Sequence, residues 1–465
     1  MDSVYYSTND IILLKRFDYC WIFHASEELE RSEQSLRILY VSPFFPPIIG
    51  GVESVLETTC RALAKSGHDV KVLTSPIISG SFNRLENYYI ERSHLLDVPE
   101  SGFIPPSTFD FDEVSDFFSN VLRDFTPDVI HFHNYQMRQY AMFLASFIHA
   151  AMNKYPMVDT IHNEIEDQFA QYVLSYFPLE AVVCVTRRSA IQLLQAGVPE
   201  KRVFTIPNLI DVERFKSGNR ERFRSELGMK ADDHLILFPS RIVGREGNLL
   251  LDSDRGKGLD VLIKAMPEIL QRDPKAKLLL IGNDSVFPQK IIQAKKRLKE
   301  IVTKSTSKES LLFIEHEIPN SAIPDIFAAS DIVVSLSATE TFGMVFIEAM
   351  SAGRPVVGVN SNQNGVSEVV PDGMAGYLVP PDNAHATAKA ISSILTNEEK
   401  RAMFSRYALK WVSEQFDTSV VLPRLVSLYE NLAQASKNKL NSQSETSRVA
   451  DNLHGTRAKG PAFTI

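Results

Sequence analysis

The stretch LRILYVSPFFPPIIGGVESVLETTCRALAKSGHDVKVLTS, residues 36 to 75, has the order strand, turn, helix, strand. Its first part, LRILYVSP, is mostly apolar without alternation, which is typical of a parallel strand covered on both faces. A turn rich in proline and glycine follows, and apolar residues then recur at helical spacing from Val52 to Leu63. Gly67 ends the predicted helix, and HDVKVLTS is the next strand. The stretch therefore predicts a βαβ unit.

The same alternation continues along the chain in two series. The first series contains short apolar runs that end in polar residues: DVIHFHN, MVDTIHN, AVVCVT and RVFTIPN. The second begins with HLILFPS and continues through GLDVLIKAMPEIL, KLLLIGN, LLFIEHE, DIVVSLS and RPVVGVN. A strongly polar segment, residues 212 to 230, separates them. We therefore predict an α/β protein with two doubly wound, Rossmann-like domains.

The predicted organisation has five parts, which agrees with a chain of 465 residues being too long for one growing core. The tail is expected to be disordered because it is rich in Ser, Asn, Lys and Thr and poor in large apolar residues. The parts are an N-terminal extension (1–35), a first Rossmann-like domain (36–215), a second one (216–405), C-terminal helices that return to the first domain (406–436) and the disordered tail (437–465).

Composition excludes several classes of protein. Hydrophobic residues make up 44% and charged residues 23%, as in ordinary globular proteins, and the net charge of −8 argues against a nucleic-acid binder. Cys20, Cys60 and Cys184 are too few and too scattered for a disulfide framework, so we expect a cytoplasmic protein. The N-terminal segment IILLKRFDYCWIFHA is too short and too charged to span a bilayer, but contact with a membrane surface stays open.

Glycines and histidines lie where ligands bind in such sheets, outside the carboxyl ends of the strands. Gly50 and Gly51 precede a helix N-terminus, where a backbone can approach an anion closely, although a simple tight turn is the alternative. His131 and His133 share one face of a strand. We assign His133 to a polar ligand and His131 to a structural role, and His162 ends another apolar run as a further candidate.

Metal and cofactor sites are weakly supported. No Asp, Glu or His completes a metal site around the strand histidines. The pairs Asp110/Asp112 and Asp252/Asp254 do not directly follow an apolar strand, so we interpret them as solvated loops. No G-x-G-x-x-G fingerprint accompanies the glycine pair, which argues against a nicotinamide or flavin site. We expect neither a metal nor a cofactor.

Two cations in the second half of the chain suit a diphosphate. Arg241 follows the strand LILFPS, and Lys257 stands just before a helix. At the mouth of a sheet, an arginine fork and a lysine point charge together offset the charge of a diphosphate. Each residue alone would be interpreted as a surface charge.

The stretch ATETFGMVFIEAMSAGRPVV, residues 338 to 357, places Glu340 just before a predicted helix and Glu348 inside it. A carboxylate in a nearly all-apolar helix needs partners, and the hydroxyls of a ribose would serve. The backbone N–H groups of residues 342 to 344 would be unpaired donors of the first turn, suited to phosphate oxygens. The alternative is an amphipathic helix with both acids in water.

Together these residues resemble retaining glycosyltransferases of the GT-B architecture, specifically glycosyltransferase family 4. The resemblance runs from about Leu36 to about Glu430. It is carried, in order, by PFFPPIIGGVE, SGHDVKVLTS, DVIHFHN, IPNLIDVERF, the Arg241 and Lys257-Gly258 pair, AASDIVVSLSATETFGMVFIEAMSAGRPVV and NGVSEVV.

The resemblance implies a nucleotide diphosphate sugar held in a cleft between two Rossmann-like domains. It also implies a role for each candidate residue. These roles are Glu348 at the ribose, Glu340 at the transferred sugar, Arg241 and Lys257 at the diphosphate, the amides of Phe342, Gly343 and Met344 beside them, Gly51 at the phosphates and sugar, His133 at the sugar, Ile314 in the strand that frames the base, and His162 on the acceptor side.

The implied reaction is transfer of a hexose-type sugar with retention of configuration, by front-face attack of an acceptor hydroxyl and without a metal. The implied partners are the donor and a glycan, lipid or small-molecule acceptor. Leu209, Asn364 and the insertion at residues 244 to 255 depart from the family pattern. A sugar-nucleotide epimerase, a phosphorylase, or a catalytically silent subunit of a glycan-assembly complex are the alternatives.

Overall fold

Two parallel sheets, each flanked by helices, confirm the predicted α/β class in a computed structural model of the chain. The structure describes residues 35–47, 50–75, 84–85, 88–96, 111–134, 155–163, 168–177, 179–239, 257–281, 296, 310–314 and 318–455. The N-terminal extension predicted at residues 1 to 35 lies almost entirely outside them, and so do Arg241 and the insertion at 244 to 255.

The first sheet has eight strands in the order β3-β4-β2-β1-β5-β6-β7-β8, and only the short β3 runs antiparallel to its neighbour in the described chain. Tyr40 pairs with His131, and His133 pairs with Thr160 on the next strand. The strands are β1 (Arg37–Val41), β2 (Asp69–Thr74), β3 (Arg84–Leu85), β4 (Tyr88–Arg92), β5 (Val129–His133), β6 (Met157–Ile161), β7 (Ala181–Cys184) and β8 (Val203–Thr205).

The second sheet has six strands, and the described pairs are all parallel. Its strands are β9 (His234–Phe238), β10 (Ala276–Ile281), β11 (Leu311–Ile314), β12 (Ile332–Val334), β13 (Val356–Val359) and β14 (Gly376–Val379), in the order β11-β10-β9-β12-β13-β14.

Helices cover the sheets on both faces. They are α1 (Gly51–Lys65), α2 (Phe111–Phe125), α3 (Gln168–Tyr176), α4 (Arg187–Gln195), α5 (Val212–Lys216), α6 (Arg220–Glu226), α7 (Leu259–Arg272), α8 (Ile323–Ala329), α9 (Met344–Ser351), α10 (Val366–Val369), α11 (Ala384–Leu395), α12 (Glu398–Gln415) and α13 (Thr418–Gly455).

The apolar runs without alternation are explained by this two-sided cover. In β1, Ile38 and Tyr40 belong to one buried cluster, whereas Leu39 and Val41 belong to the cluster on the opposite face of the sheet. Successive side chains of a strand point to opposite faces, so a strand buried on both faces needs an apolar residue at every position.

The chain crosses between the domains twice, side by side. Ile210 donates its N–H to the carbonyl of Phe416 and accepts from the N–H of Thr418, at 2.9 Å each. Before the second crossing, α12 packs on α9 of the second domain. After it, α13 packs on α1 and β5 of the first domain. After the first crossing the chain continues into α5 and α6, which pack on α8. The domain boundaries set at 215 and 405 stay predictions.

The disordered tail predicted from residue 437 is wrong for residues 437 to 455, because α13 continues through to Gly455. The segment is poor in apolar residues, but proline and glycine, the residues that interrupt helices, are missing from it until Gly455. Residues 456 to 465 lie outside the described residues. Among the described helices, none is long and apolar enough to cross a membrane.

Candidate active site

The glycine turn after β1 brings the start of α1 against the second domain. Gly51 is the first residue of α1, and a Cβ atom added there would lie 3.3 Å from Cγ of Met344, the first residue of α9. The turn is held from outside by Arg92, whose guanidinium donates to the carbonyl of Pro46 at 2.5 Å and to that of Ser75 at 3.2 Å. Two helix N-termini, one from each domain, therefore meet at this point.

The α9 terminus has the open donors expected of an anion site. Gly343 caps the helix with φ of 83°, and a Cβ atom there would lie 2.6 Å from the Phe346 ring, so a glycine is required. None of the described residues accepts a hydrogen bond from the N–H of Phe342, Gly343 or Met344. The Phe342 side chain is buried against Phe416, so only its backbone is available to a ligand.

Lys257 and Glu340 form an ion pair beside this terminus. Nζ of Lys257 lies 2.8 Å from Oε2 of Glu340, and both side chains are partly exposed. Lys257 precedes α7 after β9, whereas Glu340 follows β12, and β9 and β12 are neighbours in the sheet. The two residues thus meet at the carboxyl edge of adjacent strands. Arg241, the other predicted cation, lies outside the described residues.

Glu348 lies one turn into α9 and is partly buried. Burial raises the pKa of its carboxyl group to about 7, and the charge of Arg214 on α5 opposes that rise. None of the described residues donates a hydrogen bond to the carboxylate. A carboxylate in this position is costly without partners, which agrees with the prediction that a ligand completes its surroundings.

Three histidines meet at the carboxyl ends of β5 and β6. His131 is fully paired, with Nδ1 lying 2.5 Å from the Tyr429 hydroxyl and Nε2 lying 2.7 Å from the Thr160 hydroxyl. Its predicted structural role agrees with this geometry. His133 Nδ1 lies 2.9 Å from His162 Nε2, and both rings are buried. His162, predicted on the acceptor side, therefore lies against His133.

Two further candidates fall on elements that the structure describes. Ile314 ends β11, is buried, and packs in the apolar cluster that includes Ile318 and Val333. Asp112 lies exposed in the first turn of α2, while Asp110 and the pair Asp252/Asp254 are outside the described residues.

One functional contact was missed by the sequence analysis. The carboxylate of Glu368, on α10 of the second domain, accepts hydrogen bonds from the backbone N–H of Arg187 at 2.7 Å and of Arg188 at 2.9 Å, at the start of α4 in the first domain. The N–H of Gly365 in the same loop donates to the carbonyl of Glu340 at 2.8 Å. The motif NGVSEVV was visible in the sequence, but only folding shows which helix it meets.

The arrangement provides an anion site flanked by groups for a polyhydroxyl ligand. Backbone donors, two helix N-termini and Lys257 favour phosphate oxygens. Glu340 and His133 can pair with hydroxyl groups, and Glu348 lies one turn further along α9.

Comparison with known proteins places the chain among glycosyltransferases. The family model described as "Glycosyl transferases group 1" matches residues 219–411, and that of "Glycosyltransferase Family 4" matches residues 49–214. The chain is 27% identical to a phosphatidyl-myo-inositol mannosyltransferase of Mycolicibacterium smegmatis, over 86% of this chain and 95% of that protein. It is also 27% identical to one subunit of the phosphatidylinositol N-acetylglucosaminyltransferase of Arabidopsis thaliana, over 84% of this chain and 82% of that protein.

A solved structure shows the same fold. The Anabaena protein HepE in complex with UDP and glucose superposes with a TM-score of 0.66 at 21% identity, covering 85% of this chain and 99% of that one. The two family models cover both Rossmann-like domains in the order that the structure shows. The chain therefore belongs to family 4 of the GT-B glycosyltransferases.

Proposed function

We propose that the chain transfers a hexose-type sugar from a nucleotide diphosphate sugar to an acceptor hydroxyl, with retention of the anomeric configuration and without a metal. The observation that carries this proposal is the meeting of two helix N-termini, Gly51 on α1 and Met344 on α9, beside Lys257 and Glu340. A diphosphate suits the helix ends and the lysine, and a sugar suits the carboxylate.

Donor binding would exchange the partners of the Lys257–Glu340 pair. Phosphate oxygens would take over Lys257 Nζ and the N–H groups of residues 342 to 344, and Glu340 would be released to a sugar hydroxyl. Glu348 would accept hydrogen bonds from the ribose hydroxyls, and Ile314 would lie near the base. The N–H groups of residues 342 to 344 and the Glu348 carboxylate then gain partners that the described residues do not supply.

In the transfer step, the bond between the anomeric carbon and the diphosphate oxygen breaks, and the acceptor oxygen bonds to that carbon from the same face. The acceptor proton passes to the departing phosphate oxygen. Lys257, Arg241 and the α9 terminus would stabilise the charge that develops on the diphosphate, and His133 would hold the sugar. Preorganised charges and dipoles of this kind usually make the largest contribution to catalysis.

Similar proteins support both substrates. HepE was solved with UDP and glucose, which supports a uridine diphosphate sugar as donor. The names of the mycobacterial mannosyltransferase and the plant N-acetylglucosaminyltransferase contain phosphatidylinositol, which supports a lipid acceptor in glycolipid biosynthesis. UDP-glucose and phosphatidylinositol are therefore the first pair to assay.

A thermal-shift screen against UDP-, GDP- and ADP-sugars tests the donor site. A donor at 100 times its Kd should stabilise the protein by about 2.7 kcal/mol. Lys257→Ala should reduce that shift strongly because it removes one of the two cations proposed at the diphosphate. Lys264→Ala is the matched control, since Lys264 is exposed on α7, the helix that Lys257 precedes, and pairs only with Asp260 among the described residues.

Turnover separates transfer from the alternatives. A transferase consumes the stabilising nucleotide sugar only with an acceptor, and NMR of the product should show the anomeric configuration of the donor. An epimerase would convert the nucleotide sugar alone. Unchanged donor binding and transfer in Lys257→Ala would contradict the site, and an inverted product would contradict retention.

A further inference from the structure

His133 and His162 form a buried pair with two open ends. His133 Nδ1 lies 2.9 Å from His162 Nε2, with the ring planes 18° apart. The outer nitrogens, His133 Nε2 and His162 Nδ1, are buried and have no partner among the described residues. Asn134 fixes the pair, because its side-chain oxygen accepts from the backbone N–H of His162 at 2.8 Å.

The neighbouring His131 shows what a purely structural histidine looks like in the same cluster. Both of its ring nitrogens are paired with hydroxyl groups, those of Tyr429 and Thr160. A buried nitrogen without a hydrogen-bond partner lowers the stability of the folded protein. Two such nitrogens in one pair are unusual in a protein core and are explained more simply if a ligand pairs with them. The open ends therefore point to a ligand with hydroxyl groups.

Both rings of the pair are neutral near pH 7. Burial lowers the pKa of His162 to about 4, and burial with the nearby His131 and His162 rings lowers the pKa of His133 well below its usual value. Each neutral imidazole carries one N–H. One of the two protons occupies the bridge between the rings, and the other must sit on an outer nitrogen.

This proton count links the two ends. If His133 donates across the bridge, its Nε2 accepts and His162 Nδ1 donates. If His162 donates across the bridge, His133 Nε2 donates and His162 Nδ1 accepts. The pair always offers one donor and one acceptor, and the bridge decides which is which.

We propose that His162 is a positioning residue for sugar transfer: through the shared bridge proton it sets the tautomer of His133, and so decides whether His133 Nε2 donates to or accepts from a hydroxyl of the donor sugar. This inference rests on the proposed function for the role of His133. It assigns His162 to the donor sugar through His133, in place of the acceptor-side role expected from the sequence.

Two substitutions at one position test the bridge. His162→Phe keeps a planar ring of similar size and removes the bridge, and should lower kcat/KM by about tenfold to a hundredfold, as is typical of partners that orient a functional histidine. His162→Gln places an amide that can both donate and accept near Nε2, and should restore most of that loss. His385→Phe, an exposed histidine paired with Glu268, is the matched control and should leave kcat/KM unchanged.

The bridge itself can be measured without any substrate. Histidine ring ¹⁵N spectra of the full chain should show His133 and His162 neutral with a shared N–H proton, assigned by its loss in His133→Gln. That signal should also vanish in His162→Phe. Its persistence in His162→Phe, or its absence from the wild-type protein, would overturn the pairing.

The two measurements also separate this inference from the proposed function. If the wild-type protein transfers sugar and folded His162→Phe transfers it equally fast, the role of His162 is wrong and the function stands. If His162→Phe does not fold, a large loss of kcat/KM in folded His162→Gln relative to the wild-type protein overturns the role, because the amide should preserve the bridge. If the wild-type protein transfers no sugar, the proposed function is wrong, and the spectrum alone decides the pairing.

Discussion

Glu340 and Glu348 lie on one short segment in very different surroundings. Glu340 is compensated by Lys257, whereas Glu348 is partly buried between α9 and α5, where Arg214 is the charged neighbour among the described residues that acts on its carboxylate. Because burial disfavours the charged form, the pKa of Glu348 rises to about 7. Ribose hydroxyls that donate to the carboxylate would favour the charged form and lower the pKa in the complex.

Affinity for a nucleotide sugar should therefore depend on pH through Glu348. The free protein must lose a proton to bind below pH 7, so affinity should rise by about tenfold from pH 6 to pH 8 and level off above that. Calorimetric titration at several pH values measures this, because the diphosphate of a nucleotide sugar does not titrate in that range. Glu348→Gln should flatten the profile, and an unchanged slope in that variant would assign the proton elsewhere.

At the scale of elements, α4 is one part of the first domain that the second domain contacts directly. Thr186 caps the helix by accepting from the N–H of Ser189, and Glu368 from the second domain accepts from Arg187 and Arg188. Burial raises the pKa of Glu368, and the two N–H groups of α4 oppose that rise. A carboxylate at a helix N-terminus is favoured by the helix dipole, so this contact stabilises the packing of the second domain against α4.

Glu368→Ala should weaken this contact between the domains. Hydrogen bonds to a charged group contribute about 1.5–3 kcal/mol, and their loss should raise the radius of gyration in solution scattering and lower kcat/KM, since Gly365 in the same loop holds the backbone of Glu340. Glu399→Ala removes an equal charge from the exposed start of α12 and should change neither quantity. Equal scattering from both variants would show that Glu368 does not hold the domains together.

For the whole molecule, the crossing at Ile210 and Phe416 means that the first domain is built from two separate pieces of chain, whereas the second is one continuous piece between the crossings. The core of the first domain contains Leu425 and Tyr429 from α13, although these residues follow the entire second domain in sequence. Tyr429 also bonds to Tyr40 and His131, which connects the last helix to the histidine cluster. The first domain is therefore completed only after the second has been synthesised.

Substitutions in α11 and α13 should destabilise the two cores independently of each other. Leu425→Ala should destabilise the first domain by about 2–5 kcal/mol, because it leaves a cavity in a buried cluster. Hydrogen exchange followed by mass spectrometry should then rise in β1 and β5. Ile394→Ala, in the core of the second domain, is the matched control and should raise exchange in β9 and β10 instead. Faster exchange in β9 and β10 with Leu425→Ala would contradict the assignment of α13 to the first core.

Local signals in the sequence determined the repeating units of this protein. Apolar runs without alternation predicted strands covered on both faces, and the glycine pair at 50 and 51 predicted the start of α1. Glu340 was placed before α9 and Glu348 within it because helix periodicity and the Phe342-Gly343 turn are encoded over a few neighbouring residues. Neighbouring residues in the sequence do not specify which strands pair within each sheet.

Only the tertiary structure decided which side chains meet. His162 faces His133 because β6 lies beside β5, Lys257 meets Glu340 because β12 lies beside β9, and Glu368 reaches α4 because the second domain packs against the first. Each contact joins residues far apart in sequence, so spacing carries no information about it. The helix up to Gly455 was missed for a different reason. The composition of the tail predicts that its side chains are poorly buried, but a poorly buried segment can still continue a helix that began before it.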